Sequence, residues 1–94
     1  MKREEYVRRM HSRLDVWNNE ITELMARRDK MEKSAQAEYE TLLHDLRQRR
    51  DEMQERLGQV EVASEAAWED MKAGLELARE AIAQAIDSAR TRYK

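Results

Sequence analysis

The chain has no cysteine, no proline and no phenylalanine, and only two glycines in 94 residues. Each absence closes off a class of protein. Without cysteine there is no disulfide scaffold, no thiolate zinc site and no thiol nucleophile. Glycine and proline supply the backbone conformations of tight turns, so a meander, sandwich or barrel has nowhere to bend its chain. The longest charge-free run of note, Ala81–Ile86, is far short of the roughly 20 apolar residues that span a bilayer. An excess of one charge is missing too. With 18 basic and 20 acidic side chains the net charge is −2, so no bulk term draws the chain to nucleic acid or anionic lipid. The start Met1-Lys2-Arg3-Glu4-Glu5 is charged but has no apolar secretory segment behind it, and the expectation is a cytoplasmic protein.

What is present is helix-forming. Charged residues make up 40% of the chain, and Ala, Glu, Arg, Leu, Gln, Met and Lys dominate nearly every window. The apolar residues are phased, which separates the chain from a disordered polyampholyte. Val7, Leu14 and Ile21 recur every seven residues, as do Met10, Trp17, Leu24 and Met31, with Arg28 the one polar intruder. The stripe continues from Met31 through Ala35, Tyr39, Leu42, Leu46, Arg50, Met53, Leu57, Val60, Ser64, Ala67, Met71, Leu75, Ala78, Ile82, Ala85 and Ala89 to Tyr93. Its mean step changes from about 3.4 residues before Met31 to about 3.65 after it, from the heptad regime to the 11-residue regime. Six i,i+4 acid-to-base pairs, Glu4–Arg8, Glu5–Arg9, Glu23–Arg27, Asp29–Lys33, Asp45–Arg49 and Glu52–Arg56, lie outside the stripe and support a helix.

The expected fold is all-α, a long and nearly continuous coiled-coil helix that self-associates, antiparallel by preference. Residues 1–57 form a charged heptad and hendecad segment, and residues 58–94, with nine of the twelve alanines, an Ala-rich one; together they read as one structural unit. The alternative is a helical hairpin with its joint at residues 58–64, where Gly58, β-branched Val60 and Val62, and Ser64 as a potential N-cap coincide. The stripe keeps its phase through that region, which favours the continuous helix.

A lone helix cannot bury its own stripe. The expected partner is therefore a second copy of the chain, as dimer or tetramer, with another helical protein as the alternative. The interface would comprise Val7, Met10, Leu14, Trp17, Ile21, Leu24, Met31, Tyr39, Leu42, Leu46, Met53, Leu57, Val60, Met71 and Ile82.

Chemistry-bearing constellations are sparse. His11 has Asp15 one turn on and His44 has Glu40 one turn before, but neither forms a complete ligand set, and both read as surface histidines beside an acid. No catalytic residue, metal ligand or cofactor is expected. The basic pairs Arg8-Arg9, Arg27-Arg28 and Arg49-Arg50 are interleaved with acids and read as solvated faces rather than a nucleic-acid surface. Residues 71–93 are amphipathic, but Glu69, Asp70, Glu76, Glu80 and Asp87 give their polar face the wrong sign for anionic lipid.

Ala67-Trp68-Glu69-Asp70-Met71-Lys72-Ala73-Gly74 is not explained by periodicity alone. With Lys2-Arg3-Glu4-Glu5-Tyr6 and Leu14-Asp15-Val16-Trp17-Asn18, it resembles a family of small bacterial coiled-coil proteins that carry an Ala-Trp-Glu-Asp-[Leu/Met]-Lys-x-Gly signature. Some of that family are labelled stress-response proteins, and some are likened to apolipoprotein-type helices. Many relatives have a second aromatic after the glycine, where this chain has Leu75–Ala78. The resemblance implies a stress-linked role and no catalytic residues. Read from the residues, Trp68, Lys72 and Gly74 form a candidate docking spot for a partner helix. The functional expectation is a non-catalytic structural or interaction protein, with a lipid-surface helix protein of apolipoprotein type as the alternative.

Overall fold

The structure, a computed structural model that describes residues 2–92, is all-α. Helix α1 spans Arg3–Arg27, a single 3-10 turn covers Arg28–Lys30, α2 spans Lys33–Glu61 and α3 spans Glu65–Arg92. The chain is therefore not one continuous helix. It folds back twice into an up-down-up bundle of 50 × 18 × 17 Å. The long dimension is set by the helices, since 28 residues at 1.5 Å each give about 42 Å. Helices α1 and α3 run parallel. Arg3 and Tyr6 meet Ala63 and Glu76 near one end, and Glu20 and Glu23 meet Arg90 near the other.

The second turn lies inside the region the sequence marks as a joint. α2 ends at Glu61, Val62 leaves the helical region with ψ 2°, and Ser64 opens α3. The Ser64 hydroxyl accepts the Ala67 N–H at 3.2 Å, the N-cap geometry that satisfies one of the helix's orphan donors. The Arg3 guanidinium donates to the Ala63 carbonyl and ties this turn to the start of α1. Gly58 is not the joint. It sits within α2 with ordinary helical backbone.

The first turn has no glycine or proline, and neither Arg27 nor Glu32, the residues that precede its two helical segments, caps with its side chain. It falls where the stripe changes phase and where Arg27-Arg28-Asp29-Lys30 offers four charged residues in succession. The Arg28 N–H donates to Met25 instead of Leu24, so the Leu24 carbonyl loses its helical partner. The Tyr39 hydroxyl, fully buried on α2, donates to that carbonyl. The Gln36 amide donates to the carbonyls of Arg28 (3.2 Å) and Met31 (3.1 Å). The backbone groups that a break exposes are thus met by side chains that follow it.

The energetic reason for two turns is the stripe. Burying one large apolar side chain contributes about 1.5–3 kcal/mol, whereas each backbone hydrogen bond given up at a turn costs about 0.5–1.5 kcal/mol net. Folding back twice buries the stripe against itself. All three helices contribute to one contiguous core, with Tyr39, Leu46, Met53, Leu57 and Val60 fully enclosed along the length of α2.

Candidate interaction surface

The seam residues lie in this intramolecular core. Met10, Leu14, Trp17, Ile21, Leu24, Tyr39, Leu46, Met53, Leu57, Val60 and Ile82 are buried within the chain, and Val7, Met31, Leu42 and Met71 pack partly buried against them. The premise that the stripe needs a second copy is thereby removed: the third helix supplies the cover that a two-helix hairpin lacks. Tyr93, the last residue of the stripe, lies outside the described residues. Periodicity missed Tyr6, Leu43, Trp68 and Ile86, all buried. In a three-helix bundle each helix faces two neighbours, so its apolar face is wider than an a/d seam.

Trp68 belongs to a polar-capped aromatic cluster at the α1–α3 contact. It is 1% exposed, so it is not available to a partner helix. Its ring lies 5.9 Å from that of Tyr6, tilted by 40°, and its indole N–H donates to Glu65 at 3.1 Å. The Lys72 ammonium sits 5.7 Å and 5.6 Å from the Tyr6 and Trp68 centroids, within range for cation–π attraction to both. The Tyr6 hydroxyl donates to Glu76 Oε1 at 2.8 Å, and Arg79 donates to Glu76 Oε2 at 2.9 Å. Burial and the hydrogen bond to Glu76 push the Tyr6 phenol well above its ordinary range. The same hydrogen bond, joined by Arg79 and Lys72, holds the Glu76 carboxyl below its ordinary value against the opposing effect of burial.

The three residues nominated for docking do not share one surface. Trp68 and Lys72 face α1, while Gly74 opens toward α2 beside Arg56, Gln59 and Met71. The signature Trp68–Gly74 is spent largely on packing.

His11, Arg28 and Arg90 find partners on a neighbouring helix, whereas Arg9, Arg49 and Arg79 pair along their own. His11 Nε2 lies 2.8 Å from Glu61 Oε1 on α2, not beside Asp15. Glu40 pairs with Arg28 across the first turn, and His44 stands exposed next to it. Glu5–Arg9 (3.2 Å) and Asp45–Arg49 (2.8 Å) form as expected. Glu23 turns instead to Arg90 of α3, at 3.7 Å. Asp29–Lys33 has no common helix to sit on, because the first turn separates the two residues. Among the described residues no group of three or more His, Cys, Asp or Glu is gathered in metal-binding geometry, and no helix is long and apolar enough to cross a membrane.

Among the described residues the large apolar side chains left exposed are Val16 and Met25 on α1, Val62 in the second turn, and Leu77 on α3. Leu77 is 71% exposed although it sits mid-helix on α3. It forms a ridge between two shallow grooves. The groove on the α1 side, of about 700 Å³, is lined by Ala73, Glu76, Arg79, Glu80 and Ala83. The groove on the α2 side, of about 330 Å³, is bounded by Gly74, Ala78 and Ala81 and by Arg49, Glu52 and Arg56 of α2. Leu77 is out of phase with the stripe, and an off-phase leucine in the Ala-rich segment was the sequence signal for this surface. No family model, curated protein or solved structure matches the chain.

Proposed function

We propose that the chain is a non-catalytic helical interaction protein that works through the outward face of α3. The observation that carries this reading is the Leu77 ridge: a large aliphatic side chain held in water between grooves floored by alanine and glycine. Such a side chain forgoes its burial energy in the free protein and regains it when a partner covers it. Helix α1, Ser64 and the Tyr6–Trp68 cluster hold α3 as a rigid platform, which limits the entropy lost on binding.

The strongest ionisable cluster supports the non-catalytic reading. Tyr6 and Glu76 satisfy each other at a packed helix contact, and both are shifted in the directions that stabilise their bond rather than toward neutral pH. A lipid-surface role would need the bundle to open, because the stripe that would face lipid is the core. The stress link implied by the resemblance rests on a motif that this fold uses for packing.

The test is a photo-reactive amino acid placed in living cells at Leu77, with His44, exposed on α2, as control. The expected result is a discrete cross-linked adduct from position 77 and none from position 44. No adduct from position 77 sinks the proposal. Addition of anionic vesicles is expected to leave helicity and the fluorescence of the two tryptophans unchanged.

A further inference from the structure

We infer that the partner of this face is the same face of a second copy, with the two α3 helices parallel about a two-fold axis running along them. The inference rests on the reading of the Leu77 ridge as the working surface, and adds the partner and its orientation.

An isologous pair must bring one patch onto itself, so the patch has to be self-complementary. The α3 face meets that condition in shape. Leu77 is a single ridge with a groove on either side, and the two grooves lie at the same height along α3, spanning residues 73–83 and 74–82. With no offset to correct, the ridge of one copy seats beside the ridge of the other. Ala73, Gly74, Ala81 and Ala83 along the floors let the backbones approach closely.

Charge decides the orientation. The α1-side groove carries Glu76, Glu80 and Arg79, net −1; the α2-side groove carries Arg49, Arg56 and Glu52, net +1. A two-fold axis parallel to the helix lays each groove against the partner's opposite one, so that acid meets base at both edges. A two-fold axis perpendicular to the helix lays each groove on its own copy and sets like against like. Electrostatic complementarity selects register and orientation more than it adds affinity, and here it selects the parallel pair. This is the reverse of the antiparallel preference that follows from the whole stripe as interface.

The chain's lack of cysteine makes the test clean. Ala66 and Gln84 are both exposed and lie five helical turns apart on the Leu77 side of α3. In the full chain, Ala66→Cys and Gln84→Cys are each expected to give a disulfide-linked homodimer under mild oxidation. An antiparallel pair would cross-link only when the two variants are mixed, and that pattern overturns the inference. Sedimentation is expected to show a monomer–dimer equilibrium weakened at least tenfold by Leu77→Glu, with unchanged helicity because Leu77 supports no core contact. Glu80→Lys and Arg49→Glu are each expected to weaken the dimer and, combined, to restore it. A monomer at every concentration overturns self-pairing. If position 77 still yields an adduct of another mass in cells, the interaction reading survives without it; if it yields none, both fall.

Discussion

Tyr39 shows how one side chain decides a backbone path. Its hydroxyl replaces the N–H that the Leu24 carbonyl loses where α1 stops. Tyr39→Phe keeps the ring and removes the donor, leaving a buried carbonyl unmet. The expected loss is about 1–3 kcal/mol of unfolding free energy, read by urea denaturation. Gly58 is the opposite case. It lies inside α2 with helical backbone, and a Cβ there would meet nothing within 4 Å. Gly58→Ala is expected to stabilise the chain by about 0.5–1 kcal/mol in the same experiment. The Tyr6–Glu76 bond makes a pH prediction. The Glu76 carboxyl is held below its ordinary value of 4.5, so the stability it contributes is complete above that value and is lost as the pH falls through the lower folded value. Tyr6→Phe is expected to move the Glu76 titration, followed by carboxyl-carbon NMR, upward and to flatten this acid loss.

At the scale of elements, the two turns differ in how well the sequence announces them. Residues 62–64 combine a β-branched break with a serine that caps the next helix, and both signals are local. Ser64→Ala is expected to cost about 1 kcal/mol and to lower the melting midpoint by about 4–8 °C. Residues 28–32 have no local breaker. Their sequence marks are a run of charged residues, a polar residue in the stripe and a step from heptad to hendecad spacing, the last two being marks that a coiled coil also leaves at a stutter. Gln36 and Tyr39 stabilise this turn from positions that lie on a second helix only once the turn exists. The pattern is legible; its choice between stutter and turn is not.

At the scale of the molecule, a continuous rod of 94 residues would reach about 140 Å, whereas the bundle is 50 Å long with a radius of gyration of 15.3 Å. Small-angle scattering extrapolated to infinite dilution is expected to match the bundle; a rod would more than double that radius. The distinction matters for the surface as well. In a rod the apolar stripe is the interface, and in the bundle it is the core, which leaves Leu77 as the exposed ridge of α3.

The amino-acid sequence by itself determined that this protein is helical, because composition and the spacing of apolar residues are properties of the chain alone. It also determined nearly which side chains avoid water. Only the tertiary structure decided what covers them. A heptad stripe is satisfied equally by another molecule or by the same chain folded back, and the outcome turns on whether backbone groups at the breaks find partners. Arg3, Gln36, Tyr39 and Ser64 provide them. The absence of proline and the scarcity of glycine therefore did not forbid turns; side chains took over the capping.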